Sequence, residues 1–94
     1  MRAQHLRARA ATLAAQLYAA GATRVRLVGS LAEPMAHVHL ASDIDLCVWG
    51  LARRVIDDFV FACYAQDGAL VDILRGEDLS PEARRLVEDY GEAL

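Results

Sequence analysis

The parts of this chain that could do chemistry are a Gly-Ser pair and three carboxylates. Gly29-Ser30 precedes Asp43 by thirteen residues from the serine and Asp45 by fifteen, and Asp72 is the lone charge in the apolar run 69–74. Asp43 and Asp45 stand two apart, so in a strand their side chains share a face. Neighbouring anions repel and resist desolvation unless a cation, a proton or water compensates them, and a divalent ion with oxygen ligands is the natural candidate. A carboxylate inside a buried strand, as expected at Asp72, costs on the order of several kcal/mol if nothing compensates it.

Three such carboxylates suit phosphoryl or nucleotidyl transfer. In that chemistry two metal ions about 4 Å apart hold the attacking and leaving oxygens, and a base helps deprotonate the attacking hydroxyl. Asp43 and Asp45 would hold the metals, and Asp72 would complete one shell near the incoming hydroxyl. Gly29 would let the backbone approach a triphosphate whose oxygens accept from Ser30. Each piece alone is weak: acids also guard exposed strands against aggregation. Ser30 with Glu33 has the spacing of a capping box for a short helix starting at Leu31, a role compatible with anion binding at a helix N-terminus.

The elements that must position these residues follow from periodicity. Leu6, Ala10, Leu13, Leu17 and Ala20 predict a helix over 2–20 that ends at Gly21, with Arg2, Arg7, Arg9 and Gln16 on its solvated face. Residues 24–28 read as a strand running into Gly29-Ser30, and Pro34 keeps any helix after Ser30 short. His37 and His39 alternate without a partner at metal-ligand spacing and read as surface or loop residues.

Residues 43–49 predict a strand with Ile44, Leu46 and Val48 on one face and Asp43, Asp45, Cys47 and Trp49 on the other, closed by Gly50. A helix over 51–65 has a wide apolar face, with Leu51, Val55, Phe59 and Ala62 on one stripe and Ile56, Val60 and Cys63 on the next. Gln66-Asp67-Gly68 is a turn and 69–74 a short strand. Ser80-Pro81-Glu82 caps a last helix whose stripe is Ala83, Leu86, Val87 and Tyr90, ended by Gly91. The expected fold class is α+β: one domain over 1–94, ordered α-β-α-β-α-β-α, with a small mixed sheet flanked by helices.

With 94 residues the chain is one small domain, and with 55% hydrophobic residues some apolar surface is expected against a partner, as a hetero- or homo-oligomer. The net charge is -3 and the ten basic residues are scattered arginines, which argues against direct nucleic-acid binding through a basic patch. Cys47 and Cys63 form no C-x-x-C pattern and read as reduced, half-buried thiols. No run is long enough to span a membrane, and a cytoplasmic location is expected.

Gly29-Ser30, Ser42-Asp43-Ile44-Asp45-Leu46 and Val71-Asp72-Ile73 together resemble the signature pieces of the minimal nucleotidyltransferases, small members of the DNA polymerase beta-like superfamily. The resemblance implies a nucleotidyltransferase fold, ATP as substrate and magnesium, two ions, held by Asp43, Asp45 and Asp72. It also implies a HEPN-type ribonuclease toxin as partner, with AMP transferred to a tyrosine hydroxyl of that toxin and the chain acting as antitoxin. One alternative is a binding-only antitoxin that occludes its partner through apolar helix faces. A transferase acting on a small molecule of the aminoglycoside type is another, less favoured for want of a second domain. The family loop continues Gly-Ser-x-Ala-Arg-Gly, whereas Glu33-Pro34 stand here, so Arg26, Arg53, Arg54 or Arg75 would have to neutralise the triphosphate instead.

Overall fold

A computed structural model of the chain describes residues 2–28, 44–68 and 70–94. Gly29, Ser30, Asp43, the short helix expected after Ser30, and His37 and His39 lie outside these residues. The elements run α1 (Arg2–Ala19), β1 (Arg24–Val28), β2 (Ile44–Trp49), α2 (Arg53–Asp67), β3 (Val71–Arg75), a 3-10 turn (Gly76–Asp78), α3 (Pro81–Tyr90) and β4 (Glu92–Ala93). The sheet has the order β3-β2-β1-β4, with β1 antiparallel to both neighbours and β2 parallel to β3. The parallel pair requires a crossover, which α2 supplies. The fold is thus α+β with a mixed sheet, as expected.

Strand alternation divides the sheet into two faces of different character. On the first, Val25 and Leu27 of β1, Ile44, Leu46 and Val48 of β2, and Val71 and Ile73 of β3 pack under Ala10, Leu13, Ala14 and Leu17 of α1 and Ile56 and Cys63 of α2. The alanines of α1 make it a good helix and let it approach the sheet closely. On the second face α3 covers a smaller cluster in which Val28, Cys47 and Val87 are buried and Trp49, Leu74 and Leu79 pack around them.

Local chemistry places the ends. Gly21 closes α1 with φ +117° and Gly68 closes α2 with φ +72°, both left-handed positions where a side chain is strained. Ser80 caps α3 by accepting the Ala83 amide at 3.1 Å, ahead of Pro81 at the first helical position. The Tyr18 hydroxyl accepts the Val25 amide and donates to the Leu94 carbonyl, each at 3.0 Å, and so ties α1 to both β1 and the chain segment after β4.

Three expectations are corrected. The second helix begins at Arg53, after Leu51 and Ala52, and its first expected stripe is not its buried one: Val55 is 39% exposed while Ile56 is 1% exposed. In α3 only Val87 of the expected stripe is buried, with Leu86 and Tyr90 exposed. Both cysteines are buried rather than half-buried. The 3-10 turn and β4 were not expected from periodicity. Among the described residues no helix is long and apolar enough to cross a membrane.

Gly76 is required for a close approach: a Cβ there would lie 2.1 Å from the Trp49 ring, over which the Arg24 guanidinium also stands, 4.7 Å from its centroid. Gly76→Ala is therefore expected to lower stability by about 1–3 kcal/mol through overpacking, whereas Gly68→Ala meets only the backbone penalty of a left-handed position, about 1 kcal/mol. Urea denaturation of the two variants checks the order, and equal stability losses would refute it.

Candidate functional site

Asp45 and Asp72 are register partners across the parallel pair β2–β3, and Val28 is the partner of Asp45 across the antiparallel pair β1–β2. Register partners share a face, and adjacent strands lie about 4.8 Å apart. The two carboxylates therefore stand side by side on the second face, at the end of the sheet where β1 finishes and where the chain continues into Gly29-Ser30. Asp45 is 1% exposed, the one buried charged residue among those described, and Asp72 is half-buried. Asp43 precedes β2 by one residue and lies outside the described residues, so two of the three expected ligands are placed. Among the described residues no group of three potential metal-ligating side chains gathers.

The strands that hold this pair are positioned by the packing beneath them. Ile44 and Leu46 bracket Asp45, Val71 and Ile73 bracket Asp72, and all four are buried against α1 and α2. A one-residue slip of either strand would bury its carboxylate in that core, so the apolar alternation keeps both acids on the second face.

Farther along the same face lie Cys47 and Trp49 on β2 and Arg26 and Arg24 opposite them on β1. Burial pushes the Cys47 thiol up to about 12, with Arg24 opposing in part, so this sulfur stays protonated and is neither nucleophile nor thiolate ligand at neutral pH. The two arginines meet Glu88 of α3: Arg24 hydrogen-bonds its carboxylate and Arg26 Nε stands 3.6 Å from it, while Arg26 Nη1 donates to the Gly91 carbonyl at 2.8 Å. This cluster was not singled out from the sequence, where only the alternation Arg24-Val25-Arg26 hints that both arginines share a face.

Three of the four arginines considered for a triphosphate are thereby accounted for. Arg26 is turned toward α3. Arg53 and Arg75 both bond Asp78, at 2.6 and 2.8 Å, and Arg75 Nε also donates to the Leu51 carbonyl at 3.0 Å. That network, joined by Glu77 accepting the Gly50 amide at 2.8 Å, sits at the opposite end of β2 and β3 from the carboxylate pair. Arg54 is exposed on α2.

Compared with known proteins, the chain matches no protein-family model, no curated protein and no solved structure.

The exposed ion pairs give a pH dependence with a definite sign. The Gly50 amide holds the Glu77 carboxyl below its usual value, the Arg53 hydrogen bond does the same for Asp78, and the Arg24 hydrogen bond for Glu88. Groups with depressed folded values contribute stability that is complete above the unfolded carboxylate range, about pH 4, and is lost as pH falls through the folded values. The melting temperature is expected to fall more steeply below about pH 4 in the wild type than in a Glu88→Gln variant, and parallel curves would contradict the assignment.

Proposed function

We propose that this chain is a metal-dependent nucleotidyltransferase of the minimal class, transferring AMP from ATP to a tyrosine hydroxyl of a HEPN-type toxin and so acting as its antitoxin. The observation that carries the reading is the register pairing of Asp45 with Asp72 on one face, beside the strand end that leads into Gly29-Ser30. The donor set fits magnesium: adjacent carboxylates offer hard oxygen ligands.

Asp45, with Asp43 expected on the same face, would hold the metal ions, and Asp72 would complete one shell. When bound, the ions neutralise phosphate charge and make the acceptor hydroxyl easier to deprotonate. The chain's own contributions are positional and acid-base. Asp45 is fixed between two ladders, so its carboxylate is aimed before any ligand arrives. Asp72 is the more exposed of the two, which suits it to meet the incoming hydroxyl and accept its proton. Gly29 and Ser30 would receive the triphosphate.

A second reading, a binding-only antitoxin, is favoured by one observation: Phe61 is 72% and Tyr64 57% exposed on α2, an apolar surface suited to a partner. The two readings separate cleanly. Incubation of the chain with its HEPN partner, ATP and magnesium is expected to add AMP to the partner, read by mass spectrometry. Asp45→Asn and Asp72→Asn are each expected to slow the transfer by at least about a hundredfold, roughly 3 kcal/mol of barrier. An unmodified partner with both proteins folded would remove the transferase reading. Full neutralisation by the double variant would favour occlusion.

A further inference from the structure

We propose that the edge of β3, which no strand covers among the described residues, is where the acceptor protein docks, adding an extended segment to the sheet and bringing its hydroxyl side chain alongside Asp72. The inference rests on the transferase reading for the role of Asp72; the docking surface itself is argued from the edge and the groove beside it.

The two edges of the sheet are unlike. One is closed by β4, only two residues long, whereas β3 at the other edge has five residues, no proline and no lysine, and no further strand among the described residues. Among the usual protections against strand addition, β3 has neither proline nor lysine; its charges are Asp72 and an Arg75 held by Asp78 and the Leu51 carbonyl. Its backbone direction follows from a single bond. Ile44 N–H donates to the Leu70 carbonyl, so Leu70, Asp72 and Leu74 turn their backbone groups toward β2 while Val71, Ile73 and Arg75 turn theirs outward.

Beside this edge runs a groove of about 560 Å³ between β3 and α2, lined by Val60, Phe61, Tyr64, Leu70 and Asp72 among others. Phe61, Tyr64 and Leu70 are 72%, 57% and 46% exposed, the densest group of exposed large apolar side chains among the described residues. A strand laid against β3 projects alternate side chains to opposite faces. Those on the α2 side enter the apolar groove; those on the other side stand beside Asp72, one strand spacing away. Strand addition therefore selects an acceptor of the pattern apolar-hydroxyl-apolar. The charge of the groove completes the description: Arg53 in its lining is bound to Asp78, and Asp57 on α2 gives the groove an acidic wall that favours basic residues flanking the acceptor. A partner engaged this way gains main-chain hydrogen bonds from the edge and specificity from the groove.

The test uses the intact chain and the peptide Arg-Val-Tyr-Val-Arg as probe. On titration, amide exchange followed by NMR is expected to slow at Val71 and Ile73 by at least about tenfold at saturation. Asp72 and Leu74, whose amides already face β2, change little. Phe61→Glu, at a position exposed enough to tolerate it, is expected to weaken peptide binding about tenfold. Binding without protection at Val71 and Ile73, or binding indifferent to Phe61→Glu, overturns the proposal. So does a dimer of the free chain in sedimentation that Phe61→Glu dissociates, since the groove would then belong to a second copy. AMP transfer to the full partner with an acceptor KM unchanged by Phe61→Glu overturns the docking and leaves the transferase reading standing. Edge protection by the peptide with no transfer to peptide or partner supports the docking and removes the transferase reading.

Discussion

A carboxylate in the central strand of a four-stranded sheet is the constraint around which this fold is arranged. Asp45 is 1% exposed, with β1 on one side and β3 on the other. An ionised group so placed is costly to desolvate, and its neighbour one strand away, Asp72, is a second acid. The two arginines of β1 lie on the same face, and Glu88 with the Gly91 carbonyl draws them toward α3. Between arginines and acids stands an apolar plug of Val28, Cys47 and Val87. The second face thereby has Asp45 and Asp72 at one end and, at the other, Arg24 and Arg26 meeting Glu88 of α3. Cys47 belongs to the plug by chemistry as well as position, since burial keeps its thiol protonated.

The opposite end of β2 and β3 is held by a different device. Glu77 and Asp78 on the 3-10 turn reach back to the Gly50 amide, Arg53 and Arg75, and Arg75 continues to the Leu51 carbonyl. Individually, exposed pairs of this kind contribute little, but here they connect the start of the crossover helix, the end of β3 and the turn after β2 at one place. The Trp49 ring, between the Arg24 guanidinium and the backbone of Gly76, fastens the same turn to β1. Strand ends clamped in this way leave the register of Asp45 and Asp72 little freedom to slip.

Much of this was legible in the sequence because the strong signals are local. The alanine-rich stripe gave α1, Ser80-Pro81 gave the start of α3 to the residue, and alternation in 44–49 separated the acidic face of β2 from its apolar face. What misled was amphipathicity in helices with apolar residues on more than one side. In α2 Val55 and Ile56 both fit a stripe, and only the sheet beneath decides that Ile56 goes in and Val55 stays out. In α3 the surface offered by face two is narrow, room for Val87 and not for Leu86 or Tyr90. The two residues of β4 are too few for periodicity to register; tertiary pairing with Arg26 and Leu27 makes them a strand. At the site, the side-by-side placement of Asp45 and Asp72 depended on a parallel register that no spacing along the chain encodes.

The exposed side chains of α2 and the edge of β3 meet at one groove. Helix α2 turns Ile56 and Cys63 into the core, while Phe61 and Tyr64 stay exposed and line the groove beside β3. The groove has Val60, Phe61 and Tyr64 on the helix side and Leu70 to Ile73 on the strand side. On the docking proposed above, an added strand would supply the outer neighbour of β3, and the pleat of that strand would set which of its side chains stands beside Asp72.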